Sequence, residues 1–203
     1  MTFLETLKDL GACSDGYKWA EENKINSMAE AWDKLQRPDW MLWLLNKQSI
    51  TETQRKALVL WACDCAEDAL TIFEEKYPDD KRPRECIEAT RGFIAGTIGR
   101  DELLEKRRAA SYSADAVAAY SASYSAAYAC AAAYAAAAAA AACAAACAAD
   151  AFADDAACAA ACAADAFADD AAAAADSITL TKKRQQYADL LRLAMPNPFE
   201  GKS

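Results

Sequence analysis

The stretch that decides the fold is AASYSADAVAAYSASYSAAYACAAAYAAAAAAAACAAACAADAFADDAACAAACAADAFADDAAAAAD, residues 109–176. Its 68 residues contain no Gly, Pro, Asn, Lys, Arg or Glu. Ala has the highest helix propensity of any residue, and no breaker interrupts the run, so helix is predicted throughout. Phase adds to composition. At about 100° per residue, Tyr112, Val117, Tyr120, Tyr124, Tyr128, Tyr134, Phe152 and Phe167 fall within an arc of roughly 160°. Asp115, Asp150, Asp154, Asp155, Asp165, Asp169 and Asp176 fall on the opposite side, and Asp170 alone strays into the aromatic arc. The run reads as one long helix, or as helices in nearly continuous phase, with an aromatic stripe on one side and an acid stripe on the other. Unbroken, at about 1.5 Å per residue, it would span roughly 100 Å, more than a compact domain of this size can bury. Either it projects and pairs with something, the simpler reading, or it folds back. The block CAAACAADAFADDAA at 143–157 is repeated letter for letter at 158–172, so spacing inside the copies can be inherited rather than selected.

Outward from this run, the flanks read as conventional helices. Residues 1–48 give short ones. Thr2–Leu10 is amphipathic and stopped by Gly11; Ser14–Asn23 starts at Ser14 or Asp15; Ser27–Leu35 carries Met28, Ala31, Trp32 and Leu35 at helical spacing. Pro38 opens a helix whose apolar run, Trp40 to Leu45, is too dense for a surface and is assigned to the core. Thr51 with Gln54 fits a capping box ahead of a long helix that Pro78 ends. Pro83 suits the first turn of the next helix, which stops by Gly99, and Asp101 is the expected cap of the helix that becomes the Ala-rich run. After Asp176, Ser177–Met195 mixes Leu, Lys and Arg as a separate or re-phased helix, closed by Pro196 and Pro198 ahead of a loose tail. No run of alternating β-branched residues and no hairpin dipeptide between such runs occurs. The predicted fold is all-α: a compact helical domain over 1–100, a long Ala-rich segment over 101–176, and a C-terminal helix and loose tail over 177–203.

Net charge is −9 and unevenly placed. Residues 1–108 carry 17 basic and 21 acidic groups, residues 109–176 carry eight Asp and no base, and residues 177–203 carry five basic groups against two acidic. So acidic a surface argues against nucleic acid, whose phosphates need Lys and Arg, and favours a basic partner. The nine Cys lack framework spacing, the N-terminus is charged too early for a signal peptide, and the Ala run is too acidic and too weakly apolar to cross a membrane. A cytoplasmic protein is expected, with Cys acting mainly as a small hydrophobe.

Candidate chemistry is sparse. The chain has no His, which removes the commonest general base and the commonest metal ligand together. Asp150 with Asp154, and Asp165 with Asp169, are i,i+4 pairs that share a helix face; Asp155 neighbours them. Hard cations take such ligands, but no second helix supplies more, so the stripe reads as a solvated or partner-facing surface rather than a metal site. Cys143/Cys147 and Cys158/Cys162 have the same spacing and read as packing, while Cys63 and Cys65 point to different faces of one helix. Tyr112, Tyr120, Tyr124, Tyr128 and Tyr134, spaced by small residues, form a helix-packing face or, as a minority reading, a ligand-stacking one. Trp40, Trp43 and Trp61 are assigned to the core; Trp19 and Trp32 leave room for a recognition surface. No nucleophile–base pair, phosphate loop or metal motif is present, and neither enzyme activity nor a cofactor is expected.

The order GACSDGYKWAEE (11–22), RPDWMLWLL (37–45) and LWACDCAEDALTIFEEKYPDDKRPRECIEATRGFIAG (60–96), followed by a Tyr- and Ala-rich run, resembles an immunity protein family of bacterial toxin systems that is also found in phages. The resemblance covers most of residues 1–135 and leaves the Cys- and Asp-bearing extension unaccounted for. It implies an intracellular protein that protects by binding, with no catalytic residues to carry over. The expected function is therefore non-enzymatic, of immunity or anti-defence type: direct binding of a basic protein toxin or defence effector through the acid stripe. A nucleotide sponge and a structural Ala-rich helix are the alternatives, and the aromatic stripe also suits a homo-oligomer.

Overall fold

The computed structural model describes residues 2–121 and 177–201; their regular secondary structure is all α-helix, with no strand among them. Local chemistry sets most helix starts. In α1 (Phe3–Asp9) the Thr2 hydroxyl accepts from the Glu5 amide and the Glu5 carboxylate accepts from the Thr2 amide, a complete capping box. The same pair of bonds between Thr51 and Gln54, at 2.8 and 3.2 Å, starts α5 (Glu52–Lys76) where the sequence places it. Ser27 caps α3 (Met28–Lys34), and proline occupies the first turn of both α4 (Pro38–Leu45) and α6 (Arg82–Ala95).

Two caps differ from expectation. The start of α2 (Ser14–Glu22) is capped by Cys13, whose Sγ accepts from the Gly16 amide, while the Ser14 hydroxyl turns to the Asp15 carboxylate. α7 begins at Arg100 with Gly99 supplying the first carbonyl, so Asp101 sits inside the first turn, favourable to the helix dipole but not a cap. α6 ends at Gly96, whose φ of +77° is the left-handed conformation that glycine adopts without penalty.

α5 lies at the centre and is buried on most sides. Leu58, Val59, Ala62, Cys63, Ala66 and Leu70 are all enclosed. α6 packs on α5, and α7 (Arg100–Ser121, to the last residue described before the gap) packs on α6. α8 (Ser177–Ala194) returns to touch both α5 and α4, so a C-terminal helix joins the first four helices to the α5–α7 layer. Its grip is specific. Trp61 donates to the Tyr187 carbonyl, and Arg192 donates to the carbonyls of Trp32 and Leu35, capping the exposed end of α3.

The tail expected to be loose beyond Pro196 is pinned as far as Phe199. Pro198 and Phe199 are buried, the Phe199 ring lies 6.0 Å from Trp32, and the Asn197 amide donates to the Ala29 carbonyl and the Asp33 carboxylate. A prolyl stretch does not by itself mean disorder when an aromatic follows that can be covered. Of the predicted long helix, α7 carries the beginning; residues 122–176 lie outside the described residues.

Candidate functional site

The first four helices surround a cavity of about 370 Å³. Its buried end is aliphatic, formed by Leu7 of α1, Ala20 of α2, Ala31 and Leu35 at α3, and Leu42 of α4. Phe3, Trp19, Trp40 and Trp43, each half-buried, form the walls. Around the exposed end stand Gly11, Cys13, Gly16 and Asn46, and the two glycines leave the α1–α2 turn without bulk there.

The indole walls are held in place. Trp19 meets Trp40 edge-on with centroids 6.1 Å apart. The Arg37 guanidinium stands 4.5 Å from the centroid of Trp40 and is itself clamped by Asp39, Nε to Oδ1 at 3.1 Å and Nη2 to Oδ2 at 2.5 Å. Lys47 stands 4.8 Å from the centroid of Trp43. The sequence reading put Trp40, Trp43 and Trp61 in the core and left Trp19 and Trp32 room for recognition; Trp61 is buried, Trp40 and Trp43 are half-buried and pack against the core, and the reading of Trp32 is corrected. Trp32 is fully enclosed under Arg192 and Phe199, and Trp40 and Trp43 line the cavity. A legible signal existed in the spacing: Arg37 precedes Trp40 by three residues and Lys47 follows Trp43 by four, both positions from which a cation reaches a ring on a helix.

A second polar cluster lies between α5, α6 and α7. Arg84 holds Glu74 with two 2.6 Å bonds and reaches Glu67 at 3.2 Å; Arg91 holds Asp64 and Glu67, both at 2.7 Å. The hydrogen bond from Arg91 draws the Glu67 carboxyl below the usual carboxylate range, and that from Arg84 does the same for Glu74. Asp80, in the turn before α6, accepts from Arg82 at 2.6 and 2.8 Å and from the buried Ser113 hydroxyl of α7 at 2.6 Å; its pKa falls to about 2, chiefly through Arg82. These opposed charges tie helices together. Nearby, burial pushes the Cys63 thiol up to about 12, and Cys63 and Cys65 are both enclosed, as their packing role requires.

Of the residues the sequence singles out, Asp150, Asp154, Asp155, Asp165 and Asp169 lie outside the described residues, as do Tyr124, Tyr128 and Tyr134. Tyr112 and Tyr120 are on α7, and Tyr112 is 68% exposed, whereas Ala110 and Ser113 of the same helix are fully covered. Among the described residues no helix is long and apolar enough to cross a membrane.

No curated protein and no solved structure matches the chain. The family described as Imm-5 like putative immunity protein matches residues 48–191, from just before α5 to Leu191 in α8. That match starts later and runs further than the resemblance drawn from the sequence, and it leaves α1–α4 and their cavity outside it. With well over half of its length matched, the chain belongs to the Imm-5 like immunity protein family.

Proposed function

We propose that this protein neutralises a protein toxin or defence effector by direct, stoichiometric binding in the cytoplasm, without catalysis. The observation that carries the reading is membership of an immunity family across residues 48–191. Charge supports the kind of partner. The chain carries −9 overall, and eight Asp with no base fall in residues 109–176, so a basic surface such as that of a nuclease is the natural complement. The contact surface in this proposal is the acid stripe, with Asp150, Asp154, Asp155, Asp165 and Asp169 at its centre. Within α5–α7, Arg82, Arg84 and Arg91 bind carboxylates of their own layer.

The test is capture from the native cell with the tagged full chain, followed by charge reversal. A basic protein recovered at one-to-one stoichiometry is expected. Asp150→Lys, Asp154→Lys, Asp165→Lys and Asp169→Lys together should then abolish its recovery while far-ultraviolet circular dichroism stays unchanged. Undiminished binding by that variant refutes the stripe as the contact. Recovery of the chain alone, with no protein partner, refutes neutralisation by direct binding.

A further inference from the structure

We propose that the cavity among α1–α4 is a binding site for a small, neutral molecule of two or three rings. This assignment does not depend on the toxin-binding reading, because the cavity lies wholly in residues 3–46, before the family match begins.

Size comes first. Protein interiors seldom leave voids larger than a water molecule, and a space of about 370 Å³ falls at the lower end of the range for small-molecule sites. A cavity of about 150 Å³ takes benzene, so this one has room for two or three rings. Gly11 and Gly16 stand in the lining at its open end, where there is room for added bulk. A Cβ built at Gly11 meets nothing within 4 Å, and one at Gly16 meets only the Cys13 Sγ, at 3.4 Å.

The walls point to the chemistry. Trp19, Trp40 and Trp43 offer aromatic surface, and each is fixed before any ligand arrives, by the Trp19–Trp40 edge contact or by the Arg37 and Lys47 cations. Rings fixed in advance lose little freedom on binding. Two polar groups of the lining are already engaged. Asp39 gives both carboxylate oxygens to Arg37, and the Cys13 sulfur accepts from the Gly16 amide. Asp39 is the one charged residue of the lining and Arg37 already pairs with it, so an anion finds no cation there, and the apolar and aromatic remainder suits an uncharged group. Phosphate-bearing ligands, nucleotides included, are thereby disfavoured at this place.

The probe is 5-fluoroindole, followed by fluorine NMR against the full chain. Its resonance should broaden and shift saturably with the wild type and with Leu193→Ala, which removes an exposed apolar side chain that is not part of the lining. Gly16→Leu, which fills the open end, should weaken binding by about tenfold or more while melting with the wild type. Ala12→Leu fills the same space from the other side of the turn and takes its place if Gly16→Leu does not fold. Absence of broadening at millimolar probe, or equal broadening with the filled variants, overturns the proposal. So does loss of effector binding in Gly16→Leu without any 5-fluoroindole binding to the wild type, which would make the cavity a seat for a partner's side chain.

Discussion

The indole Nε1 of Trp61 donates a 3.1 Å hydrogen bond to the backbone carbonyl of Tyr187, joining positions 126 residues apart. Both groups are buried. The bond ties α8 to the central helix α5, and α8 in turn contacts α4. Trp61→Phe keeps a ring but deletes the donor and part of the packed volume, so a loss of about 1–3 kcal/mol is expected. Urea denaturation followed by circular dichroism measures it. A loss below about 0.5 kcal/mol, within the range of an ordinary surface substitution, would show that α8 is held by other contacts.

Arg192 is the matching anchor at the other end of α8. Its guanidinium satisfies the carbonyls of Trp32 and Leu35, which the end of α3 leaves without helical partners, and it pairs with Asp189 at 2.9 Å. Arg192→Met preserves the aliphatic stem and should cost about 2–3 kcal/mol, because partly buried carbonyls lose charged donors. Arg192→Lys should recover little, since a single ammonium does not reproduce the planar fork. Full recovery by lysine would mean that charge alone matters here.

These two anchors also mark where sequence reasoning stops. Helix starts were legible because their causes are local: Thr51 with Gln54, Pro38 and Pro83 each act within one turn. That Cys63 and Cys65 of α5 serve as small apolar packing residues was legible from the sequence too. Partition of the tryptophans was not. Spacing tells which residues share a face but not which distant segment will cover it, and Trp32 is closed off by Arg192 and Phe199, at least 160 residues later. The cavity has no local signature for the same reason, being the space left where four short helices meet around Gly11 and Gly16. Beyond Asp115 of α7, the acid stripe lies in residues the structure does not describe, and of the aromatic stripe Tyr112 is the member whose side-chain environment is known.

Cysteine reactivity separates the exposed from the structural thiols. Cys13 is exposed at the cap of α2, whereas Cys63, Cys65 and Cys86 are buried, and burial pushes the Cys63 thiol up to about 12. The thiolate is the reactive form, so neutral iodoacetamide should modify Cys13 in the native protein and leave the other three until denaturant is added. Peptide mapping by mass spectrometry after timed labelling reads this directly. Labelling of Cys63 at a rate comparable to Cys13 would require that α5 opens on the same timescale.

Asp80 gives the fold a defined acid response. Arg82, the Arg82 amide and Ser113 all bond its carboxylate and hold its pKa at about 2, against an unfolded value near 3.9, although burial acts in the opposite direction. A carboxyl whose pKa is depressed on folding binds fewer protons in the native state. Its contribution is therefore complete above about pH 5 and is lost as pH falls through the native pKa. Asp80→Asn preserves shape and removes the charge. Because Arg82 is 42% exposed, solvent screening limits the effect to about 1 kcal/mol at pH 7. The gap between wild type and Asp80→Asn should be constant from pH 7 to about 5 and then shrink as pH approaches 2. Glu67 and Glu74, also held below their usual range, add to the acid sensitivity of both proteins equally and cancel in the difference. Urea midpoints at stepped pH provide the measurement. A gap that stays unchanged down to pH 2.5 would mean that the Asp80 carboxylate does not stabilise the turn between α5 and α6 through its charge.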